Sequence, residues 1–239
     1  MRIKVILKYN NGITLPIAYR SILQGVIYNA IRFNDKYGRI HDEGYSYEKR
    51  QFRNFTFSDI FGKYSVDKGR ITFSSKCEFW ISSSDEEFID TVSEAFLSDG
   101  IKLGENVIGE VEVEKIAIGI KEDSIHIKML SPICVCRTNK STGKTRYYNP
   151  GDKEFKELIQ SNFRRKYKAI YGIDVKDNIE ILPELILPKH KKIIEYKGII
   201  HEAWLGQYVL KGPADYLTFL GDVGIGSKNS KGFGLFEVV

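Results

Sequence analysis

Cysteine is scarce in this sequence: there are 3 in 239 residues, Cys77, Cys134 and Cys136. They form neither a C-x-x-C pair nor an even disulfide set. A zinc site and a disulfide framework are therefore disfavoured, and all three are expected to be reduced, mostly buried thiols of a cytosolic protein. No apolar run reaches the roughly 20 residues of a membrane span. The start, Met1–Lys8, alternates basic and apolar residues and lacks the continuous apolar core of a signal peptide. A cytoplasmic protein with no membrane partner is the expectation. There is no G-x-S-x-G elbow, no H-E-x-x-H and no catalytic-cysteine signature. His41-Asp42-Glu43 invites a metal, but adjacent side chains diverge and no second acidic pair stands ready to converge on it. No metal and no cofactor are expected, because two-metal nuclease chemistry needs carboxylates converging from separate elements.

A glycine-rich segment is the strongest feature present. Gly224-Ile-Gly226-Ser-Lys228-Asn229-Ser230-Lys231-Gly232-Phe-Gly234 reads G-x-G-x5-G-x-G. Paired glycines let a backbone take positive φ and approach another backbone closely, and the lysines between them suit a polyanion. The commoner phosphate loops do not fit. A dinucleotide fingerprint opens a helix and is followed some 20 residues on by an acidic residue, whereas five residues remain after Gly234. Neither Gly226-Ser227-Lys228 nor Gly143-Lys144-Thr145 satisfies the Walker pattern.

Net charge is only +5, yet it is unevenly placed: Arg137–Lys197 holds 15 Lys/Arg against 8 Asp/Glu. The clusters Arg164-Arg165-Lys166-x-Lys168 and Lys189-His190-Lys191-Lys192 are what a phosphate-tracking surface needs, although solvated helix and loop faces carry such runs too.

The hydrophobic pattern gives an α+β chain built from two ferredoxin-like, RNA-recognition-like β-α-β-β-α-β units, residues 1–120 and 124–239. In the first, Arg2–Tyr9 is a strand and Pro16 opens a helix with a stripe through Tyr19, Ile22, Leu23, Val26, Ile27, Ala30 and Ile31. Strands are expected at Phe52–Phe57, Arg70–Phe73, Glu78–Ile81 and Val107–Ile118. A second helix begins after the capping box Ser84-Asp-Glu-Glu87. In the second unit Ser124–Arg137, Ile179–Leu187, Ile199–Lys211 and Phe233–Val239 are strands. Asp152–Tyr171 is a helix, and a short one runs from Pro213 to Leu220.

His41 is the candidate acid/base group, in a loop beside Gly44, since histidine titrates near neutrality. His126, His190 and His201 have less context. One loop histidine with many basic residues, tyrosines and glycines suits RNA cleavage in which the substrate's own 2′-OH attacks. The protein then need only shift protons and stabilise the phosphorane.

These residues resemble the CRISPR repeat-cleaving endoribonucleases of the repeat-associated RNA-processing superfamily. Leu23-Gln-Gly-Val-Ile-Tyr28-Asn-Ala-Ile is similar to that family's first helix. His41-Asp-Glu-Gly44 through Asn54-Phe-Thr-Phe-Ser58 resembles its histidine loop and F-T-[FY]-S strand, and Gly224–Gly234 its terminal glycine-rich loop. Ser131-Pro132-Ile133 is a softer match. The resemblance implies metal-independent cleavage of CRISPR precursor RNA within its repeats, leaving a 5′-OH and a 2′,3′-cyclic phosphate. It assigns His41 and Tyr28 to acid/base work, without fixing which is acid and which base. The third catalytic position is usually lysine; here it is Arg53, which clamps a phosphorane but does not exchange protons. Lys49, Arg50, Ser131, Gly224, Gly226, Lys228, Asn229, Ser230, Lys231, Gly232 and Gly234 are the implied RNA contacts. CRISPR repeat RNA is the implied partner, with other CRISPR effector subunits and a second copy of the chain as further candidates. The rival reading is a non-catalytic RNA-binding subunit of an effector complex.

Overall fold

The computed structural model describes residues 1–37, 44–48 and 50–239. In the N-terminal half the central strand is Arg2–Lys8, flanked antiparallel by Glu110–Ile116 and Arg70–Ser82. Its Ile3, Val5 and Leu7 are fully buried. On the opposite face Lys4 and Lys8 pair with Glu78, Glu112 and Glu114 of the neighbouring strands, cross-strand pairs worth about 0.2–1 kcal/mol each. Thr56–Phe57 lies on the far side of Arg70–Ser82. Helix α1 (Arg20–Ile31) contributes Leu23 and Ile27, and α2 (Glu86–Asp99) contributes Phe88, Ile89 and Val92, to the core over this sheet. The strand order is that of a ferredoxin-like unit.

The C-terminal half repeats the plan. Ser124–Met129 lies between Phe236–Val238 and Gln207–Lys211, with Glu180–Leu185 outermost. Helices α3 (Lys153–Tyr171) and α4 (Ala214–Val223) cover it through Phe155, Ile159, Phe163, Leu217 and Leu220. The two cores are separate, and residues 119–123 run between the last strand of one sheet and the first of the other.

Several element boundaries differ from the sequence expectation. Pro16 ends a strand, Ile13–Pro16, paired with Arg70–Phe73, and α1 begins only at Arg20; an edge strand tolerates the missing N–H. Arg70–Phe73 and Glu78–Ile81 belong to one 13-residue strand, hairpinned to Phe61–Asp67. All seven residues of Phe61–Asp67 are exposed, so no alternation marks it. The expected strand Phe52–Phe57 divides into Arg50–Phe52, which pairs with Tyr45–Tyr47, and Thr56–Phe57. Val107–Ile118 divides into Asn106–Ile108 and Glu110–Ile116. Ser124–Arg137 divides likewise, because Cys136–Thr138 forms a hairpin with Thr145–Tyr147. Ile199–Trp204 pairs with Lys191–Tyr196 and is cut from Gln207–Lys211 at Gly206 (φ 127°).

Candidate nucleic-acid interface

The glycine segment is the seam between the halves. It leaves α4 at Gly224, makes a 3-10 turn at Asn229–Lys231 and returns into the last strand. Gly224, Gly226, Gly232 and Gly234 all take φ between 73° and 83°. At Gly234 a Cβ would lie 2.0 Å from the Ile225 carbonyl oxygen, and at Gly232 it would lie 2.4 Å from the Phe57 ring. Lys228 is the one non-glycine residue of the segment in the left-handed region (φ 65°), a strained conformation of the kind that clusters at functional sites.

Asn229 holds the loop closed, its amide donating to the carbonyls of Ile225 (3.1 Å) and Phe233 (2.9 Å). Its own oxygen accepts from the Lys166 ammonium of α3 (2.8 Å), which also donates to the Gly224 carbonyl (2.7 Å). The N-terminal half grips the other side. Arg20 donates to the Gly232 carbonyl and pairs with Asp59; Gln24 donates to the Ser230 carbonyl (2.6 Å); Thr56 donates to the Phe233 carbonyl (3.0 Å). The Tyr196 hydroxyl donates to the Gln24 side-chain oxygen, and Lys231 sits 4.6 Å from the Tyr196 ring centroid.

Burial lowers the Lys166 pKa to about 7. The unfolded chain therefore holds an extra proton between about pH 7 and the ordinary lysine value of 10.5, and stability rises with pH across that window. Chemical denaturation at pH 7, 8 and 9 should show a slope steeper than that of Lys166→Met, by at most about 1.4 kcal/mol per pH unit. Equal slopes would contradict this reading.

The loop presents Ser227, Lys228, Ser230 and Lys231 to a cleft of about 530 Å³. The opposite wall carries Arg50, Phe52 and Arg53, and Arg137 and Lys140 come from the Cys136–Tyr147 hairpin region. Among the described residues the lining holds seven Lys/Arg and no carboxylate. Crowding of like charge is visible in the pKa directions. Lys231 is lowered by burial and then by Lys228, Lys197 and Arg53; Arg50 is lowered by burial and then by Arg165. Low-dielectric walls of one sign focus the field on an incoming polyanion.

The sequence-derived site residues fall into four groups. Arg50, Arg53, Lys228, Ser230 and Lys231 meet at the cleft. Tyr28 is half-buried on α1, one turn after Gln24. It packs edge-to-face on Phe55 (5.6 Å) and is near enough to help burial raise the Tyr196 pKa. His41 and Lys49 lie outside the described residues.

The remaining expected RNA contacts are buried in this structure. Ser131 is fully buried, its hydroxyl accepting from the Leu235 N–H at 3.0 Å. Gly224, Gly226, Gly232 and Gly234 are buried too and shape the loop from within, and the buried Asn229 lines the floor of the cleft. Lys166, expected in a solvated basic run, is 2% exposed, while Arg164 and Lys168 bond Asn178 and Asp174. Lys191 pairs with Glu202, and the Lys189–Lys192 run is not part of the cleft lining. Sequence reasoning missed Arg20, Gln24 and Tyr196. The only signal of Arg20 and Gln24 was polar residues interrupting the apolar stripe of α1, and Tyr196, at the end of the Lys191–Tyr196 strand, had none.

The chain is similar to known proteins over nearly its whole length. CRISPR-associated endoribonuclease Cas6 1 of Methanocaldococcus jannaschii is 29% identical over 245 residues, 98% of this chain and 91% of that protein. CRISPR-associated endoribonuclease Cas6 of Pyrococcus furiosus is also 29% identical, over 94% of this chain and 83% of its own length. A solved structure of a CRISPR associated protein Cas6 superposes with a TM-score of 0.77 at 27% identity, covering 100% of this chain and 99% of that one. The family model described as CRISPR associated protein Cas6, C-terminal, matches residues 112–238, a span that takes in the whole glycine seam. On that match, over more than half its length, the chain belongs to the Cas6 family.

Proposed function

We propose that this chain is an endoribonuclease that binds the repeats of CRISPR precursor RNA and cuts within them by metal-independent attack of the 2′-OH. The cationic cleft between the two halves, lined by no carboxylate among the described residues, is the observation that carries this reading. A cleft of that composition attracts phosphates and, among the described residues, offers no carboxylate to a magnesium ion. Lys228 and Lys231 hold the RNA backbone, and Arg53 places its guanidinium against the scissile phosphate as negative charge develops. Tyr28 and His41 exchange the protons of the attacking 2′-OH and the leaving 5′-oxygen.

The deciding experiment incubates labelled repeat RNA with the protein in EDTA, with and without a 2′-deoxy substitution at the cut site. Cleavage in EDTA that vanishes with the 2′-deoxy substrate is expected. Cleavage that needs a divalent ion, or that survives the 2′-deoxy substitution, would refute the mechanism. Tight binding without cleavage on the cognate repeat would leave only an RNA-binding subunit.

The cleft makes a separate quantitative prediction. Each lost contact to a single-stranded phosphate removes about 0.7 from the slope of log K against log salt. The Lys228→Ala/Lys231→Ala variant should therefore bind more weakly with a slope shallower by about 1.4. An unchanged slope, in filter binding from 50 to 300 mM salt (roughly the range where such slopes are read), would place the RNA elsewhere.

A further inference from the structure

Helix α1 presents one stripe to the glycine segment. Arg20, Gln24 and Tyr28 stand four residues apart, so their side chains lie one above the other along one side of the helix. Arg20 donates to the Gly232 carbonyl and Gln24 to the Ser230 carbonyl, so the loop runs antiparallel along this stripe. Arg20 and Gln24 are buried, whereas Tyr28 is half-buried. The stripe therefore begins to open to solvent at Tyr28, one turn past its last bond to the loop.

A second element closes on the same place. The strands Lys191–Tyr196 and Ile199–Trp204 form a two-stranded sheet of their own, outside both main sheets. At the end of the first of them Tyr196 is buried, and its hydroxyl donates to the Gln24 side-chain oxygen. Gln24 is thereby fixed at both ends, because its nitrogen donates to the Ser230 carbonyl at 2.6 Å. An amide held by one donor and one acceptor has a single orientation that satisfies both. The Tyr196 ring centroid also lies 4.6 Å from the Lys231 ammonium, and Tyr28 is close enough to add to burial in raising the Tyr196 pKa. One side chain thus meets both Gln24 and the loop lysine, with Tyr28 beside it.

We infer that Gln24 and Tyr196 are positioning residues for cleavage: their bond locks the hairpin and the glycine loop to α1, and so fixes the Tyr28 hydroxyl relative to the phosphates that Lys231 holds. This rests on the assignment of Tyr28 to proton transfer made above. Neither Gln24 nor Tyr196 exchanges a proton with the RNA; what the two of them set is a distance. Proton transfer needs heavy atoms within about 2.6–3.2 Å of each other. A misplacement of about 1 Å costs a rate factor on the order of 10². Without the Tyr196 hydroxyl the hairpin loses this bond to α1, and the Gln24 amide is free to turn.

The test measures single-turnover cleavage of labelled repeat RNA over a range of protein concentrations. Wild type is compared with Tyr196→Phe, Tyr28→Phe and the double variant. Tyr196→Phe keeps the ring beside Lys231 and removes the hydroxyl alone. Its rate at saturation should fall about ten- to a hundredfold. The half-saturating concentration should stay the same, the mark of an interaction felt only in the transition state. In the Tyr28→Phe background the same substitution should slow cleavage no further, because the hydroxyl it positions is gone. Tyr147→Phe is the control. Its hydroxyl holds the same hairpin through the Ile200 carbonyl and His201 Nδ1, both at 2.9 Å, rather than through α1, and this variant should cleave at the wild-type rate. An unchanged rate in Tyr196→Phe, losses that add in the double variant, an equal loss in Tyr147→Phe, or a loss confined to RNA affinity would each overturn the inference. Tyr28→Phe cleaving at the wild-type rate would overturn it differently, by removing Tyr28 from the chemistry while cleavage itself stands.

Discussion

Gly234→Ala is expected to cost about 3 kcal/mol or more and to abolish cleavage. Two effects add. The residue sits at φ 83°, where an L side chain is strained by about 1–2 kcal/mol. Its new Cβ would also meet the Ile225 carbonyl oxygen at 2.0 Å, a distance no side chain tolerates. Relief requires the strand to move. Movement breaks the bonds from Ile225 N–H to the Gly234 carbonyl (2.8 Å) and from Gly234 N–H to the Pro132 carbonyl (3.0 Å). Gly198→Ala supplies the control, since that glycine has a similar φ of 77° but open space where its Cβ would go. The melting temperature should fall by about 2–4 °C for each kcal/mol, so roughly 10 °C for Gly234→Ala and a few degrees for Gly198→Ala. Equal shifts would mean that backbone strain alone, and not the close packing of the seam, governs the loop.

The second large effect separates chemistry from binding. His41→Ala should slow cleavage by about 10²–10⁴-fold, the usual contribution of a positioned acid/base group, while the affinity for repeat RNA changes little. Lys228, Lys231, Arg50 and Arg137 remain to hold the phosphates. Tyr28→Phe is the partner test, because it keeps the edge-to-face contact with Phe55 and removes only the hydroxyl. Single-turnover rates and equilibrium binding on one labelled RNA decide the matter. Loss of affinity in step with rate would assign His41 to binding. A rate unchanged in His41→Ala would move the proton transfers to Tyr28 and a group not yet named.

The pattern of in-and-out residues was enough to find the central strands and the helices, because Ile3, Val5 and Leu7, or Phe155, Ile159 and Phe163, repeat at the periods of the structures they form. Where all side chains face solvent, as in Phe61–Asp67, there was no period to read. The glycine segment was legible as a special backbone but not as an interior one. Nothing local to Gly232 says that Phe57 and Arg20 will lie against it. Lys166 shows the same limit from the other side. It sits in a run of four basic residues that looks solvated, yet helix geometry turns it inward to Gly224 and Asn229. Contacts between residues some two hundred positions apart are set by how two finished units dock, and single-sequence spacing carries no record of that.

That separation along the chain also orders events in time. Arg20 and Gln24 meet Gly232 and Ser230 across 212 and 206 residues. Loop closure over such distances follows the folding of each half rather than leading it. During synthesis the N-terminal unit, with Tyr28 and Arg53, is already assembled while the lysines of the cleft are still unmade. A nascent or truncated chain therefore has half a cleft and no seam, so the capacity to hold RNA and the capacity to cut it arrive together, at the last step of folding.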